Sequence, residues 1–195
     1  DREIRTAGAG PIKLPYWAKI WPSAMLLGHF LAHLDPEDGR SLLEIGGGIG
    51  ICGLFAAKLG FRTLITDLHP DALLFSQINI LHNGLSDRAS VSRADFTTDR
   101  LGRRFDVILG AEVLYMEDAY RGLHKFLLAH LSSEPTAEAV LAKDFTRRAS
   151  RFLAMANKEF SIAERVVGYK ETVAEGAVPE RRLCQIYRMK LRQHA

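Results

Sequence analysis

Short runs of apolar and β-branched residues alternate along this chain with stretches whose apolar side chains recur every three or four positions. Leu27, Phe30, Leu31 and Leu34 follow the i, i+3, i+4, i+7 spacing of a helix that Ser23 can cap, and residues 35–39 break it. Leu42, Leu43 and Ile45 predict a short strand that runs into a glycine cluster, and a helix through Leu54, Phe55 and Leu59 ends at Gly60. Thr63, Leu64, Ile65 and Thr66 predict a second strand that delivers Asp67 at its carboxyl end. Pro70 suits the first turn of a helix over about 71–82 that stops at Asn83-Gly84. Val91 marks a third strand ending at Asp95-Phe96, and Phe105, Val107, Ile108 and Leu109 mark a fourth that leads to Gly110-Ala111-Glu112. Leu123, Phe126, Leu127 and Leu131 line one face of a further helix, and 139–142 form strand five. A helix around 152–157 precedes two last strands, about 161–169 and 183–191, joined by the turn-like stretch 175–179.

Strands alternating with crossover helices predict a parallel sheet covered on both faces. The fold class expected is therefore α/β: a Rossmann-like, doubly wound, seven-stranded sheet, mostly parallel, with an antiparallel C-terminal hairpin. One domain is expected over 1–195, with a preface and helix over 1–40 and the core over 41–195. The preface is rich in aromatics and proline, among them Pro11, Pro15, Tyr16, Trp17, Trp21 and Pro22.

Charge narrows the partners. Lys and Arg number 26 against 23 Asp and Glu, a formal +3, and the pairs Arg147-Arg148 and Arg181-Arg182 are too short to make a basic face, so no nucleic acid is expected. No apolar stretch reaches the roughly 18 residues of a membrane span, and the first residues hold no signal-peptide core, so a cytoplasmic protein is expected. The chain begins at Asp1, so native N-terminal residues can be missing. The only two cysteines, Cys52 and Cys184, lack metal-ligand spacing and read as small buried hydrophobes, which suits a reducing compartment. His29 and His33 are four apart without a third ligand, and the histidines read as helix-surface residues; no metal site is expected.

The chemistry concentrates in Glu44-Ile45-Gly46-Gly47-Gly48-Ile49-Gly50, between a strand and a helix, at the sheet edge where doubly wound folds open a ligand crevice. Gly48, Gly50 and Gly53 also fit the Gly-x-Gly-x-x-Gly of dinucleotide enzymes, a weak signal alone. The acidic residue decides the frame. A carboxylate beside a pyrophosphate is repelled, whereas one beside an ammonium or a sulfonium is attracted, so Glu44 favours a cationic cofactor. Asp67 follows Gly50 by 17 residues and can accept from both hydroxyls of a ribose, or else cap the following helix.

These residues resemble class I S-adenosylmethionine methyltransferases over nearly the whole chain. Glu44 to Gly50 is similar to their first motif, Asp67 to the acidic end of their second strand, Asp95-Phe96 to the third motif and residues 105–112 to the fourth. A narrower resemblance joins residues 16–24 and Glu112-Val113-Leu114-Tyr115 to methyltransferase family 16, which contains many protein-lysine methyltransferases and typically carries aspartate where this chain has Glu112. The resemblance implies S-adenosylmethionine as cofactor, held by Trp21, Glu44, Gly46, Gly47, Gly48, Gly50, Asp67, Asp95, Phe96 and Ala111. Asp95 would reach the adenine amino group and Phe96 would lie beside the base, where the family often has tryptophan. Glu112 and Tyr115 would be the catalytic pair. Glu112 would accept from the incoming amine, and Tyr115 would wall the pocket or face the cationic head with its ring.

Methyl transfer is an in-line displacement at an already activated carbon, so positioning and a deprotonated nucleophile suffice. The expected acceptor is a lysine side chain of a protein partner. A small-molecule amine, or a non-catalytic cofactor-binding interaction protein, stands as the alternative. A nicotinamide-dependent oxidoreductase comes last, for want of a separate substrate domain. Lys143 and Asp144, after strand five, receive no role and read as a surface pair.

Overall fold

The structure, a computed structural model, describes residues 15–32, 39–171 and 180–193. A 3-10 turn, Tyr16–Ala18, leads into α1 (Pro22–Leu31); β1 (Ser41–Ile45), α2 (Ile51–Lys58), β2 (Arg62–Asp67), α3 (Pro70–His82) and β3 (Ala89–Arg93) form the first half. The second half comprises β4 (Val107–Ala111), α4 (Tyr120–His130), β5 (Glu138–Asp144), α5 (Ser150–Ala156), β6 (Phe160–Glu171) and β7 (Glu180–Leu191). The seven strands make one sheet in the order β3-β2-β1-β4-β5-β7-β6. The first five run parallel, and β7 lies antiparallel between β5 and β6. This is the Rossmann-like sheet with a closing hairpin that the hydrophobic pattern predicts.

Central strands read as unbroken apolar runs because both of their faces are covered. Leu43, Ile45 and Ile108 point into a core shared with Leu123, Phe126 and Leu127 of α4 and Phe152 of α5. Leu42, Val107 and Leu109 point the other way, onto Leu27 and Leu31 of α1 and Cys52 and Ala56 of α2. All six strand residues are fully buried, and each contributes about 1.5–3 kcal/mol relative to exposure. Because strand order reverses between β1 and β4, the loops leaving their carboxyl ends diverge to opposite faces and leave a crevice.

Several local expectations shift. Pro22 takes the first position of α1, so Trp21 is the N-cap and Ser23 is buried in the first turn instead of capping it. The third strand ends at Arg93, which leaves Asp95 and Phe96 in the following loop. Strand five extends through Lys143 to Asp144. His124 and His130 are buried, not on a helix surface: His130 Nε2 accepts from the Leu101 N–H at 2.9 Å while its Nδ1 lies 2.7 Å from the Phe126 carbonyl oxygen. Burial lowers the His130 pKa, in keeping with a neutral ring that accepts at one nitrogen and donates at the other. The preface up to residue 14, the helix-breaking residues 35–38 with His33 and Leu34, and the turn 175–179 lie outside the described residues.

Candidate functional site

The loop after β1 is built for close approach. Gly46, Gly48 and Gly50 adopt φ of +59°, +56° and +83°, a region closed to most residues with a Cβ. The Gly47 N–H donates to the Thr66 carbonyl at 2.9 Å, which ties the loop to β2. The Ser76 hydroxyl donates to the Gly48 carbonyl at 2.8 Å and the Asn79 amide to the Ile49 carbonyl at 3.0 Å, which ties it to α3. Across the loop lies the preface: a Cβ on Gly48 would stand 2.7 Å from the Trp17 carbonyl oxygen.

Glu44 sits beneath this loop. It is 2% exposed, and its carboxylate accepts from the Gly53 N–H at 2.8 Å and the Cys52 N–H at 3.2 Å, two unpaired donors at the start of α2. Its first partner is thus the helix, and it shapes the glycine loop from below. Burial outweighs those two bonds and raises its pKa to about 7. Asp67, at the end of β2, accepts from the Gly48 N–H at 2.8 Å through one oxygen and from the His69 N–H at 2.9 Å through the other. It does not cap α3; His69 does, accepting from the Asp71 N–H at 3.2 Å. One side chain therefore couples the glycine loop to the β2–α3 turn and still presents carboxylate edge to the crevice.

The crevice is a cavity of about 630 Å³. Gly46, Gly47 and Gly48 border it together with Glu44, Asp67, Asp95, Phe96 and Ala111. Trp21, Glu112 and Tyr115 stand at the same cavity. Eleven of the twelve residues singled out in the sequence therefore meet at one place. Gly50 does not: it is the N-cap of α2, and a Cβ there would meet the Ser76 hydroxyl at 2.9 Å. Asp95 is partly committed elsewhere, since one of its oxygens accepts from both the N–H and the hydroxyl of Thr97. Trp21 is oriented by donation from its indole N–H to the Tyr16 carbonyl at 3.1 Å, with Lys19 Nζ 4.7 Å from its ring centre.

Glu112 holds φ of +56°, the only positive value outside glycine among the described residues. Such strain persists only where surrounding contacts enforce it. Here the Glu112 N–H donates to the Ala142 carbonyl at 2.8 Å, while its Oε1 accepts from the Asp144 N–H at 2.8 Å. Its Oε2 lies 3.2 Å from Arg147 Nε, buried and without an aligned hydrogen bond, as is the neighbouring Ser23 hydroxyl. Burial raises the Glu112 pKa against the lowering pull of the Arg147 charge and the Asp144 N–H. Tyr115 is more than half exposed at the cavity mouth.

Two functional features escape pattern reading. Lys143, read as one of a surface pair, is 1% exposed: its Nζ donates to the Arg147 carbonyl and the Gln185 side chain, both at 2.6 Å, and to the Asp144 carbonyl at 3.3 Å. Desolvation lowers its pKa. It fastens the loop after β5 whose Arg147 meets Glu112. Trp17 is the second; its ring stacks on His69 at 5.2 Å, and its carbonyl covers Gly48. The aromatic density of the preface was the one signal for it.

A family model described as lysine methyltransferase matches residues 16–159. The protein N-lysine methyltransferase METTL21A of Danio rerio is 33% identical over 155 residues, covering 75% of this chain and 70% of the relative. The EEF1A lysine methyltransferase 3 of Xenopus tropicalis is 31% identical over 107 residues, 53% of this chain and 47% of the relative. Among solved structures, a TehB-like SAM-dependent methyltransferase from Corynebacterium glutamicum superposes with a TM-score of 0.65 at 18% identity, covering 85% of this chain and 87% of the other. The glycopeptide N-methyltransferase MtfA, complexed with (S)-adenosyl-L-methionine, does so at 0.61 and 13% identity, covering 93% and 100%. At such identities the likeness is one of fold.

Proposed function

Since this chain belongs to the lysine methyltransferase family and is an S-adenosylmethionine-dependent methyltransferase, we propose that its acceptor is a lysine side chain of a protein partner and that the cavity beside the glycine loop is where transfer takes place. The observation that carries the site reading is the convergence of a bare-backbone loop, Asp67, Phe96 and the strained Glu112 on one cavity. The lysine acceptor is supported by relatives that are protein-lysine methyltransferases.

The residues fit the cofactor. The cavity has the volume of a nucleoside-sized ligand site. A Cβ on Gly46 would stand 3.2 Å from Val113 and 3.7 Å from Phe96, within space that a ligand against bare backbone needs. Asp67 would accept from the ribose hydroxyls with the lone pairs its backbone bonds leave over, and Phe96 would lie beside the base. Glu44 acts through the loop it braces. When bound, S-adenosylmethionine supplies a methyl group activated by a sulfonium.

This chain's own work is at the acceptor. A lysine amine has an ordinary pKa of about 10.4, so it enters as an ammonium and must release its proton to solvent before its lone pair meets the methyl carbon. Val113 and Trp21 surround the approach with apolar surface, which disfavours the charged form. Glu112 accepts from the amine and turns its lone pair inward, held there by the Asp144 N–H. Tyr115 flanks the entrance.

The test is incubation of the protein and radiolabelled S-adenosylmethionine with a lysate of methylation-deficient cells. Label is expected in a protein band, as methyl-lysine after hydrolysis. Label confined to the small-molecule fraction would transfer the assignment to a metabolite amine. Cofactor binding without label in either fraction would leave an interaction protein. Glu112→Gln is expected to spare S-adenosylhomocysteine binding and to lower turnover about 100-fold or more. A cytoplasmic location is part of the proposal, supported by two buried, unpaired cysteines. No described helix is long and apolar enough to cross a membrane.

A further inference from the structure

A second cavity, of about 280 Å³, adjoins the first and shares Trp21, Lys19, Glu112 and Arg147 with it; Asp144, Thr146 and Arg182 also line it. Of the two cations shared by the cavities, Arg147 is the one paired with Glu112. Its Nε lies 3.2 Å from the one Glu112 oxygen that no aligned hydrogen bond satisfies, and the Glu112 side chain is only 10% exposed. A buried carboxylate needs a cation or donors beside it, and stripping that partner away is costly. An acceptor amine that reaches Glu112 therefore meets a place already taken by a guanidinium.

We propose that Arg147 is a specificity-determining residue whose guanidinium occupies, against Glu112, the position of the acceptor's head group, and that it yields this position to an incoming amine by swinging toward Asp144 in the adjoining cavity. The inference rests on the transferase reading of the Glu112 site and adds to it how the acceptor is selected. Its economy is electrostatic. An aliphatic ammonium replaces one cation by another, so the carboxylate is never left bare, whereas a neutral or anionic acceptor has no means to displace the guanidinium.

The local geometry permits the exchange. Lys143 pins the Arg147 backbone by its carbonyl, while the Arg147 side chain is 37% exposed, so rotation of one side chain suffices and the loop need not open. Asp144 is a ready alternative partner. Hydrogen bonds from Thr146, with the charges of Arg147 and Arg182, hold its carboxyl below the usual range.

The experiment is a titration of n-butylammonium chloride into protein saturated with S-adenosylhomocysteine, followed by protein-observed NMR, with n-butanol as the neutral isostere. A guanidinium in place about nine-tenths of the time weakens the apparent affinity of a competing cation about tenfold. Arg147→Ala is accordingly expected to half-saturate at about one-tenth of the wild-type concentration. Arg147→Lys, which keeps a cation beside Glu112, should remain near wild type, and Glu112→Gln combined with Arg147→Ala should abolish the gain. Neither single Arg147 variant is expected to respond to n-butanol. Equal half-saturation of Arg147→Ala and wild type, or no saturation of Arg147→Ala over the same range, overturns the proposal. Failure of the wild-type protein to bind S-adenosylhomocysteine would strike the transferase site itself, and is read separately before any amine is added.

Discussion

Replacing Glu44 by glutamine should remove a pH dependence of folding whose size follows from burial. In the folded chain this carboxyl is 2% exposed, and its pKa stands at about 7 against an ordinary 4.5. An acid whose folded pKa is raised binds its proton more tightly folded than unfolded. Stability contributed by this group is therefore greatest at low pH, falls as pH rises from the unfolded value through the folded one, and levels off above it. The shift corresponds to about 3 kcal/mol in total, at about 1.4 kcal/mol per pH unit within the window. Glutamine cannot ionise, and its amide can still accept from the Gly53 N–H while setting an NH₂ against the Cys52 N–H, a cost of about 1–3 kcal/mol that does not vary with pH. Urea unfolding of both proteins between about pH 5 and pH 8 measures the difference directly. The wild-type protein should lose about 2–3 kcal/mol relative to Glu44→Gln across that interval. A difference between the two that stays constant to within about 0.5 kcal/mol would refute the claim that burial governs this carboxyl.

Asp67→Ala should weaken S-adenosylhomocysteine binding by about 2 kcal/mol, roughly 30-fold, since a charged acceptor and the brace on Gly48 go together; calorimetry showing wild-type affinity would count against the site. Gly48→Ala places a methyl 2.7 Å from the Trp17 carbonyl at a φ of +56°, and a loss of about 1–3 kcal/mol is expected in thermal unfolding, with faster proteolysis ahead of Pro22. Lys143→Met withdraws the donor from three acceptors, so about 2–4 kcal/mol should be lost. Faster amide exchange confined to residues 144–149 is the accompanying signature, and its absence would mean that Lys143 does not hold the loop.

Local chemistry made most of the fold and the outline of the site legible in advance. Apolar runs of strand length, separated by stretches of helical period, dictate a parallel sheet because only helices on both faces can cover such strands. The order of the glycines dictates a loop with left-handed backbone, and Gly46, Gly48 and Gly50 adopt it. Asp67, placed at a strand end by the β-branched run before it, could only project at the carboxyl edge of the sheet.

What tertiary structure decided are the partners reached across long separations in the chain. Glu44 is acidic in any reading, but only the packing of α2 over β1 brings its carboxylate onto the Cys52 and Gly53 N–H groups beneath the loop. Lys143 and Asp144 look alike as a charged pair after a strand. The alternation of β5 sends Lys143 inward, where Gln185 of the antiparallel β7 meets it 42 residues away. Arg147 and Glu112 are 35 positions apart and meet because β4 and β5 lie side by side with their carboxyl ends level. A side chain's residue type and period are local properties; which charge it meets depends on strand order and register, and those are settled by how the whole sheet closes.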